Sequence, residues 1–219
     1  MQRSLMVISI AAGLATCAMA NPILRAPAGD YSPTNPVNTL DGVSTTASHL
    51  RNNEWNVTIT FQTDFNYFAG EANAFVALYD IPTVVGKTPG SPVYVHSIGW
   101  DITHTANSPS WLNELIFRFG DDLGVDYVEL TPSGTSAPGT ENNNSGGSKV
   151  DLVGLGLDFT LYNGILRFRF WDTFNDNFPN RDGFIHAGST ISLGLKIIPA
   201  PGSLALLGIG GLAAVRRRR

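Results

Sequence analysis

VGLGLDFTLYNGILRFRF, residues 153–170, decides the fold. Val153, Leu155, Leu157, Phe159 and Leu161 alternate with Gly154, Gly156, Asp158 and Thr160. A period of two is the pattern of a strand with one buried face. Asn163-Gly164 follows, the pair best suited to a two-residue hairpin turn. Beyond it Leu166, Phe168 and Phe170 face one way, and Arg167 and Arg169 the other. The expectation is a β-hairpin that lays its apolar side on a core.

The same style continues on both sides. In WNVTITF, residues 55–61, every odd residue is apolar and every even one polar. Residues 74–79 and 93–98 are short apolar runs bounded by Asp80, Pro82, Pro89, Gly90 and Pro92. Leu115, Phe117 and Phe119 share a face, residues 125–130 follow a Gly-Asp-Asp-Leu-Gly turn, and Ile191, Leu193, Leu195 and Ile197 mark a last strand. Residues 21–50, rich in Pro, Asn, Ser and Thr, read as an extended arm with one or two short edge strands. Residues 131–149, TPSGTSAPGTENNNSGGSK, carry almost no apolar side chain and read as a long flexible loop. No stretch of the body keeps a helical period, and no internal repeat is present. Many short strands separated by Gly, Asn and Pro turns predict an all-β domain over residues 21–198, an antiparallel β-sandwich of jelly-roll type.

Composition narrows the function. About 178 residues can bury roughly two-thirds of their unfolded surface in one domain. Cys17 and all three methionines fall within the first 20 residues. The body therefore has no disulfide, thiol nucleophile or thiolate metal site. Residues 21–198 hold nine Lys and Arg against 18 Asp and Glu, a net charge of −9. That balance argues against nucleic acid or an anionic lipid surface as partner.

Both ends read as addresses. Arg3, the apolar residues 5–14 and the small-x-small site Ala18-Met19-Ala20 have the order of a secretory signal peptide over residues 1–20, with a mature start at Asn21. Leu14-Ala15-Thr16-Cys17 also resembles a bacterial lipobox, which leaves lipidation at Cys17 as a rival. The C-terminus reads IPAPGSLALLGIGGLAAVRRRR, residues 198–219. Pro199 and Pro201 break regular structure, residues 203–215 carry no charge, and Arg216, Arg217, Arg218 and Arg219 close the chain. Thirteen helical residues span roughly 20 Å, short of a bilayer core of about 30 Å. The segment is a short hydrophobic helix, a marginal or temporary anchor, whose arginines stay cytoplasmic.

This order over residues 199–219 resembles the PEP-CTERM sorting signal. Pro199 and Pro201 match the two prolines of its motif, and Ala200 stands where the family usually has Glu. The resemblance implies a bacterial protein exported through signal peptidase and handled by an exosortase-like transpeptidase that cuts near the prolines. The departure at Ala200 leaves open a variant enzyme or a tail retained as the membrane anchor. The expected location is the cell surface or the extracellular space.

Chemistry-bearing residues are few. Asp172, Asp176, Asn180 and Asp182 place oxygen ligands in one stretch, as a hard cation such as calcium requires. The spacing is not that of an EF-hand, and Asp and Asn also serve ordinary turns. Asp121, Asp122 and Asp126 form a weaker cation candidate. Asp101 and His104 could act as a base or metal pair, or make a surface hydrogen bond. Trp55 and Trp171 read as core. Trp100 and Trp111 flank the polar residues 103–110 and are the carbohydrate-binding candidates. Glu114, Glu129 and Asp101 supply carboxylates for glycoside hydrolysis, but nothing fixes their separation. Nucleophile-elbow, P-loop and dinucleotide-binding patterns are missing. The expectation is a non-enzymatic surface or extracellular-matrix protein with no cofactor beyond candidate calcium. The alternative is a carbohydrate-binding module, with extracellular polysaccharide as partner, and a secreted hydrolase comes third.

Overall fold

The computed structural model describes residues 22–23, 42–177 and 180–199. The signal-peptide residues (Ala18 and Ala20 among them), Cys17, Ala200, Pro201 and Arg216 to Arg219 lie outside the described residues. The rest folds into two antiparallel sheets.

The first sheet has the order β1 (Pro22–Ile23), β8 (Tyr127–Leu130), β7 (Leu115–Asp121), β12 (Ile165–Asp172), β5 (Phe75–Asp80). The second is organised around β6 (Val93–Ala106), 14 residues long. One edge of β6 pairs with β14 (Thr190–Ile197) and β13 (Gly183–Ile185). Its other edge pairs with β9 (Gly139–Asn144), β10 (Val150–Asp151) and β11 (Phe159–Leu161). Beyond β14 lie β3 (Glu54–Phe61) and the edge strand β2 (Val43–Arg51); β4 (Phe65–Tyr67) pairs with β13.

Alternation explains each inner face. Val57, Ile59 and Phe61 of β3, Ile98, Trp100 and Ile102 of β6, and Ile191 and Leu193 of β14 meet Phe117 and Phe119 of β7 and Leu166, Phe168 and Phe170 of β12 in one core. Its centre is aromatic. Phe168 stacks on Phe117 at 5.8 Å and on Phe119 at 5.5 Å. Phe170 stacks on Phe75 at 4.6 Å, and Phe61 reaches Phe170 from the opposite sheet at 5.9 Å.

Four expectations change. Residues 153–157 are not a strand: Leu152–Leu155 form a one-turn helix. Asp151 caps it by accepting from the N–H of Val153, and Gly156 closes it at φ 68. Local capping there outweighs the alternating pattern. The Asn163-Gly164 turn does form, with Gly164 at φ 78 and its N–H on the Leu161 carbonyl. It joins no hairpin, however: β11 pairs with β6 in the second sheet while β12 pairs with β5 and β7 in the first. The turn thus carries the chain across the sandwich. Nor are residues 131–149 all loop. β9 pairs with β6 from Gly139↔Ala106 to Asn144↔Asp101. Its polarity has a local cause: inward-facing Glu141 takes the Ser133 hydroxyl at 2.6 Å, and Asn143 is buried. Lastly, Arg167 and Arg169 face away from the core but are buried, at 7% and 8% exposure.

Those arginines belong to a charged layer on the outer side of the first sheet. Glu71 Oε1 receives Arg118 Nη1 and Arg169 Nη1, and Arg118 Nε reaches Glu129 Oε1 at 2.9 Å. The Arg118 guanidinium lies 4.4 Å from the Tyr127 ring and 4.8 Å from the Trp171 ring. Burial pushes the Glu71 carboxyl up, but Arg118 and Arg169 hold it below its ordinary value. Trp171 is buried, as expected, though in this layer rather than in the core, and Trp55 packs against the core edge.

Truncating Phe168, fully buried and in contact with five other rings, removes the middle of that core. Phe168→Ala should lower the unfolding free energy by about 3–5 kcal/mol, read from urea unfolding.

Candidate functional site

One end of the sandwich gathers the acidic residues. There β6 ends at Ala106, β12 ends at Asp172 and β7 begins at Leu115. Backbone hydrogen bonds lock four segments together. The N–H of Asp172 bonds the Phe68 carbonyl at 3.0 Å and its carbonyl takes the N–H of Gly70 at 2.9 Å. Asp182 donates to the Tyr67 carbonyl at 3.1 Å and accepts from Asn107 at 2.7 Å. Thr173 donates to the Glu114 carbonyl at 3.0 Å. Gly183 permits the close approach of β4 and β6. A Cβ there would stand 2.1 Å from the Thr105 carbonyl and 2.2 Å from the Tyr67 hydroxyl.

Asp172, Asp182 and Ser110 are buried, Glu114 is 9% exposed, and Asp176 is exposed on the loop after β12. The Ser110 hydroxyl lies 2.7 Å from Asp176 Oδ1 and 3.1 Å from Asp182 Oδ1, so it bridges the two carboxylates. Glu114 Oε2 takes the N–H of Trp111 at 2.7 Å at the start of a short 3-10 turn, Leu112–Glu114. Asp172 Oδ1 takes the N–H of Phe174 at 2.9 Å, while its Oδ2 is buried without a hydrogen bond among the described residues. The Tyr67 hydroxyl donates to the Thr105 carbonyl at 3.0 Å. Around the rim stand Trp111, Phe174 and Phe68, exposed at 45%, 65% and 40%.

The electrostatics follow from burial among like charges. Burial pushes the Asp172 carboxyl up to about 7, with Glu114, Asp182 and Asp176 adding to the rise. Glu114 and Asp182 are raised chiefly by burial, with backbone or hydroxyl donors opposing and Asp176 reinforcing. Burial and then the charges of Asp172, Asp182 and Glu114 raise the Tyr67 phenol.

The chain thus brings together Asp172, Asp176 and Asp182 of the expected cation set. Asn180 is exposed, and its N–H closes a turn on Asn177 at 2.8 Å. Glu114, Ser110 and Tyr67 join from segments far away in sequence. Glu114 stands in the sequence as a candidate carboxylate for glycoside hydrolysis, just ahead of the Leu115/Phe117/Phe119 alternation that starts β7. Trp111 stands on the rim. Trp100 is 8% exposed in the core and offers no ring face to a sugar. Asp101 and His104 point to opposite faces of β6, since three residues is an odd spacing on a strand. His104 is wholly buried, its Nε2 is 3.0 Å from the Leu112 carbonyl, and burial lowers its pKa. Glu129 is tied to Arg118, away from Glu114. Asp121 takes the N–H of Val125 in its own turn, and Asp122 takes the side-chain amide of Asn163. No family model, curated protein or solved structure matches the chain.

The raised Asp172 carboxyl gives a sign to the pH dependence. In the folded state the proton is held up to about pH 7, against an ordinary value of 3.8. The folded chain binds more protons than the unfolded one across that window, so this contribution is complete below pH 4 and lost as pH rises to 7. In chelator-containing buffer, Asp172→Asn should remove that slope and raise the melting temperature most above pH 7. Thermal melts of both proteins from pH 4 to 8 check it.

Proposed function

We propose that the chain is an exported, non-enzymatic bacterial surface or extracellular-matrix protein on a jelly-roll body, sorted or anchored by its C-terminus. The observation that carries this is the order of features over residues 199–219: Pro-Ala-Pro, 13 uncharged residues, four arginines. The leader-like residues 1–20 agree with it. So does the way the body finishes. β14 ends at Ile197, the last member of the described core, and the N–H of Ile198 bonds the Pro92 carbonyl at 2.9 Å. The prolines therefore follow directly on a packed domain. The jelly-roll architecture draws support from strand order. β3-β14-β6-β11 and β5-β12-β7-β8 form two groups of four, and the chain changes sheet at almost every step between them. Among the described residues no helix is long and apolar enough to cross a membrane; residues 203–215 lie outside them.

Expression in a bacterium that carries an exosortase, with cell fractionation and mass spectrometry of both termini, tests this. A mature start near Asn21 and a product on the surface or in the medium are expected. A terminus near Pro199 means cleavage, and an intact Arg219 on a membrane-bound product means a retained anchor. A soluble cytoplasmic product that keeps residues 1–20 would overturn the proposal.

A second role, polysaccharide binding, is favoured by the outer face of the second sheet. Ser44, Thr60, Thr190, Asp101 and Asn144 lie side by side across five strands, and Thr46, Thr58, Ser192 and Gly99 form the next row. Neighbours across the strands are about 4.8 Å apart, and rows about 7 Å. The Asn142 amide donates to Asp101 at 2.8 Å and Thr103 at 2.9 Å, and the Thr105 and Thr140 hydroxyls are 2.7 Å apart. A regular hydroxyl and amide face with one carboxylate in those rows suits a neutral polyhydroxylated chain. Pull-down on a panel of insoluble polysaccharides should retain the protein, and Thr58→Glu should weaken retention about tenfold at little cost in stability. Retention on none of them removes this role.

A further inference from the structure

Four carboxylates gather at the acidic end, and among the described residues none of them forms an ion pair. The charges that act most strongly on Asp172 are those of Glu114, Asp182 and Asp176, all acidic. Glu114 likewise feels Asp176 and Asp182, and Asp182 feels Asp176. Arg181, next to Asp182 in sequence, is engaged elsewhere: its Nη1 donates to Asn66 Oδ1 at 2.7 Å and its guanidinium lies 5.0 Å from the Phe184 ring. A second observation is independent of the clustering. Asp172 has no exposed surface, and its Oδ2 is buried with no hydrogen-bond donor among the described residues. Buried carboxylate oxygens are ordinarily paired, hydrogen-bonded or bound to a metal.

We propose that this end of the sandwich binds calcium, with the carboxylates of Asp172, Asp176, Asp182 and Glu114 and the hydroxyl oxygen of Ser110 as ligands. The donor set is all oxygen, which selects a hard cation, and it comes from three separate segments. That irregular geometry suits the flexible shell of calcium better than the strict octahedron of magnesium. Among the described residues no three acidic or histidine side chains already stand disposed to hold a metal. Binding therefore draws the ligands inward, chiefly Asp176, the exposed member, which the Ser110 hydroxyl already links to Asp182. The bound ion supplies the partner that Asp172 Oδ2 lacks and ties the loop after β12 to the Ser110–Glu114 segment. Relative to the pattern read from sequence, Glu114 and Ser110 enter the site and Asn180 leaves it. The site depends on neither export nor polysaccharide binding.

The test uses the full chain stripped of metal with a chelator. Calcium titration by calorimetry should give one ion per chain, and excess calcium should raise the melting temperature, with magnesium much less effective. Asp176→Asn, on an exposed side chain, should leave the fold intact and weaken calcium binding by about tenfold or more. Asp121→Asn, at the opposite end of the sandwich, should leave the affinity unchanged. No binding heat and an unchanged melting temperature would overturn the site, as would wild-type affinity in Asp176→Asn.

Discussion

Ring packing between the two sheets is the contact on which the molecule depends. Phe168 and Phe170 sit in β12, which pairs with β5 on one side and β7 on the other. Their rings touch Phe117, Phe119 and Phe75 within their own sheet and Phe61 across the gap. The lone cysteine lies at position 17, so the body must cohere through buried apolar area and backbone pairing. Aromatic side chains bury the most area per residue, and their tilted and offset contacts add to it.

The outer faces of the two sheets then part company. That of the second sheet is a polar, partly exposed array of Ser, Thr and Asn. That of the first carries Arg118, Glu129 and Arg169, all nearly without exposure. Charges in such a place are tolerated because each is engaged: Glu71 serves both arginines, Glu129 serves Arg118, and Tyr127 and Trp171 lie against the guanidinium planes. The acidic end is the opposite case, with carboxylates gathered and, among the described residues, no base paired to them. Two ionic layers of one small domain thus differ in kind. The first is balanced by its own ion pairs, and the second is not balanced among the described residues.

Several features were legible from residue order. The strands whose inner residues alternate strictly, 55–61, 115–119, 166–170 and 191–197, form as read, because each pairs in the body of a sheet and turns its apolar residues to the one core. The segments misread had another force acting. Around residue 153 the caps at Asp151 and Gly156 wind one helical turn where the pattern alternates. In β9 both faces are polar, so no hydrophobic period announces the strand; only the long reach of β6 creates an edge for it to join.

The sequence by itself determined that the body is built of antiparallel strands and that it contains no thiol chemistry. It also marked Asp172, Asp176 and Asp182 as candidate ligands. Only the tertiary structure decided which strands became neighbours, and so which carboxylates met. The Asn163-Gly164 turn is the same two residues whether it closes a hairpin or carries the chain between sheets. Its outcome depends on the partners that β6 offers to β11 and that β5 and β7 offer to β12. Glu114 and Ser110 came to Asp172 for the same reason. Backbone pairing at strand ends brings together residues about 60 positions apart, and local spacing holds no record of that.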